Sequence, residues 1–86
     1  MATGARGDVG SALMEVELVG RSGCGLCDEA RATLRALGVE FVEQDVDDDP
    51  HLNLSFTNRV PVLLIDGQVV AEGRIHAAAV LRALSR

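Results

Sequence analysis

Apolar and polar residues follow regular patterns along most of the chain, and these patterns predict the order β-α-β-α-β-β-α. Alternation of apolar and polar residues predicts strands over 14–19 and 39–46. An apolar run over 60–65, the Asp66-Gly67 turn and a return strand over 68–72 predict a β-hairpin. Helical spacing predicts helices over 25–37, 50–56 and 74–86. The order gives an α/β fold, with a four-stranded mixed sheet flanked by helices on both faces.

Each predicted helix has an apolar face and recognisable ends. Gly38 follows the last apolar residue of the first helix, as expected of a C-terminal cap. In the second helix, Leu52 and Phe56 should face inward, and an aspartate followed by Pro50 suits the helix start. The last helix offers five residues for burial: Ile75, Ala78, Ala79, Leu81 and Leu84.

The first thirteen residues show no periodicity and are rich in Gly, Ala and Ser. We predict that residues 1–13 form a flexible leader, and that residues 14–86 form one domain. A chain of 86 residues is long enough for one small domain with a modest core.

The charge balance bears on the choice of partner. Formal net charge is -5, from 13 acidic and 8 basic residues, and all eight basic residues are arginine. No basic cluster is present and only Phe41 and Phe56 are aromatic, which argues against binding nucleic acid or an anionic membrane. No apolar run is as long as a membrane span, and no secretory signal is apparent. We therefore expect a cytoplasmic monomer.

The only two cysteines, Cys24 and Cys27, stand as Cys-x-x-Cys between the first predicted strand and the first predicted helix. A helix N-terminus favours negative charge and so favours the thiolate, the reactive form of cysteine. This position indicates a redox-active dithiol. Two alternatives stay open: buried cysteines with a structural role only, and a thiolate metal or iron–sulfur module. Because His51 and His76 do not complete a zinc motif, such a metal would be shared through a dimer.

Two motifs together resemble the thioredoxin superfamily, and most closely a short bacterial glutaredoxin-like family. They are Cys24-Gly-Leu-Cys-Asp-Glu-Ala30 and Arg59-Val-Pro-Val-Leu63. The resemblance covers residues 14–86 and implies a thioredoxin-like, glutaredoxin-type fold. It also implies a cis peptide before Pro61, beside the cysteines. The backbone of Val60 would then be free to pair with an extended substrate or with glutathione.

The resemblance also suggests where glutathione would bind. Arg21 stands where glutaredoxins place a lysine that attracts a glutathione carboxylate, and Gly73 retains part of their Gly-Gly pair. Arg59 stands where they usually carry threonine, and Gly25-Leu26 replaces their Pro-Tyr between the cysteines. The candidate substrate-binding residues are Arg21, Arg59, Val60, Pro61 and Gly73.

These observations lead to a thiol–disulfide oxidoreductase that reduces protein disulfides or glutathione mixed disulfides. Cys24, nearer the turn, should be the exposed nucleophile, and Cys27 should resolve the mixed disulfide. Arg21 and Arg59 should add positive potential and lower the pKa of Cys24. We expect no tightly bound cofactor and no bound metal, with glutathione as a candidate co-substrate.

Overall fold

The structure, a computed structural model, describes residues 14–85; the predicted leader over residues 1–13 lies outside them. The predicted order of elements is confirmed. The strands are β1 (Val16–Gly20), β2 (Val42–Asp45), β3 (Val62–Ile65) and β4 (Gln68–Glu72). The helices are α1 (Gly25–Ala36), α2 (Pro50–Phe56) and α3 (Ala77–Leu84), with a short 3-10 turn (Val46–Asp48) before α2.

The four strands form one mixed sheet in the order β2-β1-β3-β4. β1 runs parallel to β2 and antiparallel to β3, and β4 is antiparallel to β3. The register pairs Val62 with both Val19 and Glu72, and pairs Gly20 with Asp45. The ends of β1, β2 and β4 therefore meet the start of β3. We call this the cysteine end of the sheet, because the chain leaves β1 there toward Cys24.

Alternation along the central strands supplies two hydrophobic cores, one on each face of the sheet. The first core combines β1 and β3 with α1 and α3; its buried members are Val16, Leu18, Ala30, Leu34, Leu63, Ile65, Ile75 and Val80. The second lies under α2 and the 3-10 turn; it consists of Val19, Val46, Val62 and Leu64, covered by Leu52, Phe56 and Val60. Each fully buried aliphatic side chain contributes about 1.5–3 kcal/mol. The predicted inward positions in α2 are confirmed.

The last helix differs from its prediction in both its start and its buried face. It begins at Ala77 instead of Arg74, because Gly73 has a positive φ of 73° and His76 is extended. Val80 is buried, whereas Leu81 is 50% exposed and Ala78 is also exposed. The segment from Ala77 to Leu81 is apolar at every position, so periodicity alone did not identify the buried face.

Three strands are shorter at their starts than predicted. β1 begins at Val16 instead of Met14, β2 at Val42 instead of Val39, and β3 at Val62 instead of Val60. The parallel pairing of β1 with β2 starts at Glu17 and Val42, whereas the Val39 N–H donates to the Leu34 carbonyl of α1 over 3.0 Å.

The predicted turns and caps are in place. Asp66 and Gly67 both have positive φ, as a two-residue hairpin turn of this kind requires. The Asp49 carboxylate accepts a hydrogen bond of 2.8 Å from the His51 N–H and caps α2.

Candidate active site

The two cysteines are joined by a disulfide at the start of α1, with their Cα atoms 5.2 Å apart. Cys24 is the N-cap residue; its backbone is extended and its side chain is partly exposed. Cys27 lies within the first helical turn and is fully buried. The Cys27 N–H donates to the Cys24 Sγ over 3.2 Å. A backbone donor at a helix N-terminus favours negative charge on that sulfur once the disulfide is reduced.

Gly20, the last residue of β1, lies directly behind Cys27. A Cβ atom built at Gly20 would be 3.1 Å from the Cys27 Sγ and 3.2 Å from its Cβ. Glycine therefore lets the buried cysteine pack closely against the strand backbone. The first strand was predicted to end at Val19, before Gly20, although a glycine at a strand end can indicate such a close approach.

The Val60–Pro61 peptide is cis, as the resemblance implied. The register continues from the Val19–Val62 pair to Gly20 and Pro61, which places the proline at the cysteine end of the sheet. The buried Pro61 accepts a hydrogen bond of 2.9 Å at its carbonyl from the Gly73 N–H. Among residues 14–85, the N–H and C=O groups of Val60 have no hydrogen-bond partner. A backbone of this kind can pair with an extended chain.

The guanidinium group of Arg21 is held by a set of four hydrogen bonds. Two go to the carboxylate oxygens of Asp47, at 2.9 and 3.1 Å. The other two go to the carbonyl and hydroxyl oxygens of Thr57, both at 2.9 Å. The hydrogen bond from Arg21 is the main cause that lowers the pKa of Asp47. Arg21 thus ties the turn after β1 to the segment around α2.

Arg59 is held in a similar way on the other side of Pro61. Its Nε donates to Glu72 over 2.6 Å, and its guanidinium lies 5.2 Å from the centre of the Phe56 ring. This hydrogen bond is the main cause that lowers the pKa of Glu72 and raises the pKa of Arg59. Sequence reasoning named both arginines but missed their carboxylate partners.

An open groove of about 280 Å³ runs beside the cysteine turn. Its lining is Arg21, Ser22, Asp28, Arg31, Glu43, Gln44, Asp45 and Asp48. Arg31 is itself bound to Glu43 and Asp28, and these bonds raise its pKa. Four carboxylates against two arginines give the groove an acidic character.

Two further properties concern the described part of the chain. Within residues 14–85, no three His, Cys, Asp or Glu side chains come together as a metal site would require. None of the helices there has the length and apolarity needed to cross a membrane.

The fold and the cysteine pair define a thioredoxin-superfamily protein of the glutaredoxin-like class. The family Glutaredoxin-like domain (DUF836) matches residues 15–85, and the chain belongs to this family. No curated protein matches the chain.

Solved structures with the same fold include two of similar size. A structural genomics target protein from X. campestris is 30% identical with a TM-score of 0.72, covering 81% of this chain and 95% of its own. Protein Ne2328 from Nitrosomonas europaea is 26% identical with a TM-score of 0.71, covering 81% and 89%. Glutaredoxin 1 from Francisella tularensis, 21% identical with a TM-score of 0.62, covers 86% and 100% and shares the fold. Membership of the glutaredoxin-like family, together with the Cys24–Cys27 pair, supports a thiol redox role for the protein.

Proposed function

We propose that the protein is a thiol–disulfide oxidoreductase that reduces protein disulfides or glutathione mixed disulfides. The observation that carries the proposal is the asymmetry of the cysteine pair at the start of α1. Cys24 is partly exposed and receives a backbone hydrogen bond, whereas Cys27 is fully buried one turn along the helix. The first sulfur suits attack on an external disulfide, and the second suits an intramolecular step.

The reaction transfers two electrons from the dithiol to the substrate. The Cys24 thiolate attacks one sulfur of the substrate disulfide, forms a mixed disulfide and releases the other substrate sulfur as a thiolate. Cys27, as its thiolate, then attacks the Cys24 Sγ, breaks the mixed disulfide and releases the second substrate thiolate. The products are the Cys24–Cys27 disulfide and two substrate thiols, which take their protons from solvent. A thiol or dithiol reductant returns the protein to its reduced form.

The other residues of the site would position the substrate. The free backbone of Val60, fixed by its neighbour Pro61, would pair with an extended segment that carries the disulfide. Gly73 supports this turn through its hydrogen bond to the Pro61 carbonyl. Arg21 and Arg59 would face the bound substrate from either side. We further propose a cytoplasmic monomer without a tightly bound cofactor.

Replacing each cysteine separately tests the proposed roles. Cys24→Ser should abolish disulfide exchange. Cys27→Ser should abolish dithiol reduction of protein disulfides but still form mixed disulfides at Cys24, which mass spectrometry would detect. If glutathione is a substrate, Cys27→Ser should also keep part of the deglutathionylation activity, because free glutathione replaces the resolving thiol.

Alkylation of the reduced protein at neutral pH tests the premise directly. Cys24 should be modified first. Modification of Cys27 first, or of both at equal rates, would show that the roles are wrongly assigned. Stoichiometric zinc or a coloured cluster after anaerobic purification, with no disulfide exchange, would replace the proposal with the metal-binding alternative.

A further inference from the structure

Three arginines lie around the cysteine end of the sheet, and each is bound to a carboxylate. Arg21 follows β1, Arg59 precedes β3, and Arg74 follows β4. Their partners are Asp47, Glu72 and Glu29, at N···O distances of 2.9, 2.6 and 3.0 Å. A site that binds an anionic ligand through arginine needs N–H groups free to reach the ligand.

The two arginines nearest the proposed substrate path are the most relevant. Four of the five N–H groups of Arg21 donate hydrogen bonds to Asp47 and Thr57. Arg59 has its positive charge compensated by Glu72, across the turn that contains Val60. Neither arginine therefore offers an uncompensated charge to an incoming carboxylate.

The groove beside the cysteine turn adds to this effect. Its carboxylates outnumber its arginines, and it is lined by Ser22 and Asp28, which flank the Cys-x-x-Cys segment. Oxidised glutathione carries four carboxylates and two ammonium groups, and so has a net charge of about -2 at neutral pH. Among the described residues that line this groove, an anion of this kind meets repulsion and no free cation in return.

We propose that Asp47 and Glu72 determine the substrate class of this site. By neutralising Arg21 and Arg59, they disfavour glutathione disulfides and direct the reaction to disulfides in neutral or basic protein segments. Such segments are held by backbone pairing at Val60, which requires no cation. This inference rests on the proposed oxidoreductase function and names the substrate of the same site.

The charge preference can be measured with three small disulfides in single-turnover reactions of the pre-reduced protein. They are oxidised glutathione (anionic), 2-hydroxyethyl disulfide (neutral) and cystamine (cationic). Each rate is divided by the rate with dithiothreitol under the same conditions, which removes differences in intrinsic reactivity. We expect normalised rates in the order cystamine, 2-hydroxyethyl disulfide, oxidised glutathione. The differences should shrink at high salt, because the charges concerned are exposed.

Asp47→Asn and Glu72→Gln test the two residues themselves. Each should raise the ratio of the oxidised-glutathione rate to the neutral-disulfide rate by about threefold, and the double variant by about tenfold, as expected for exposed charge pairs. Glu40→Gln is the matched control, because it removes one negative charge before β2, at the opposite end of the sheet. Its ratio should equal that of the wild type.

Two results would overturn the inference while leaving the proposed function intact. One is a wild-type protein that prefers oxidised glutathione to the neutral disulfide after normalisation. The other is a ratio that does not change in folded variants, with folding checked by circular dichroism. If the protein reduces none of the three disulfides, the oxidoreductase function itself is rejected.

Discussion

At the scale of single residues, the buried cysteine depends on a residue without a side chain. Gly20 faces the Cys27 sulfur at a distance that leaves no room for a methyl group to fit without adjustment. The neighbouring atoms belong to a fully buried side chain that is tethered to Cys24 and cannot swing away. Any side chain at position 20 must therefore displace the resolving sulfur, the strand or the helix.

Gly20→Ala should lower the free energy of unfolding by about 1–3 kcal/mol, the usual cost of overpacking a core. Urea denaturation of the oxidised protein measures the effect. Gly25→Ala is the control, because a Cβ there meets nothing within 4 Å and alanine favours the helix that starts at that residue. Equal urea midpoints for wild type and Gly20→Ala would show that the strand accommodates the methyl group without a loss of stability.

The residues of the site differ in how far the sequence could predict them. Cys24 and Cys27 could be proposed because their spacing is a local signal, and Pro61 because two short motifs together resemble a known family. The partners of Arg21 and Arg59 were not, because these contacts join residues 26 and 13 positions apart along the chain. No short-range pattern marks which of many surface carboxylates a given arginine will meet.

At the scale of elements, α3 shows how packing chooses among apolar residues that sequence treats alike. Val80 contacts the first core, while its neighbour Leu81 is half exposed. Val80→Ala should cost about 2 kcal/mol through lost burial and the cavity left behind. Leu81→Ala should change stability by less than about 1 kcal/mol, although leucine is the larger residue.

Thermal denaturation of the two variants in parallel checks this order. Helix propensity opposes this order, because alanine gains more over valine than over leucine, but the difference is at most about 0.7 kcal/mol. A larger loss in Leu81→Ala than in Val80→Ala would contradict the buried face described for α3.

The element order was predictable because the period of apolar residues differs between strands and helices, and because Gly, Pro and Asp mark their ends. The first and last residues of the strands and helices were less predictable. The start of β2 depends on where its pairing with β1 begins, and the start of α3 depends on the backbone conformation of Gly73. Both are settled by tertiary contacts.

At the scale of the whole molecule, ion pairs add side-chain links between segments that meet at the cysteine end of the sheet. Arg21–Asp47 joins the cysteine turn to the 3-10 turn, and Arg59–Glu72 joins the segment before β3 to the end of β4. Both carboxyl groups have a lowered pKa in the folded protein, chiefly through the hydrogen bond from the arginine. Their stabilising contribution is therefore present above the unfolded-state pKa and is lost as the pH falls through the folded-state pKa.

Melting temperatures of wild type and Glu72→Gln should differ most above pH 4.5, the ordinary pKa of this carboxyl group. The difference should close as the pH drops further, because protonation of Glu72 removes the pair from the wild type as well. Arg59→Gln should also reduce the part of the melting temperature's pH dependence that Glu72 contributes, because it removes the hydrogen bond that lowers the pKa of Glu72. A difference that stays constant from pH 6 to pH 3 would show that the pair adds no pH-dependent stability.

The position of β1 in the centre of the sheet also bears on how the protein is made. β1 is the first strand within residues 14–85, yet it pairs Val16 with Ile65 of β3. The first core additionally needs Val80, close to the end of the described chain. Contacts between such distant segments form slowly and only after both have been synthesised. During translation, the apolar faces of β1 and α1 therefore stay exposed until β3 and α3 have been synthesised. A ribosome that stalls before the hairpin leaves both cores without the residues that complete them.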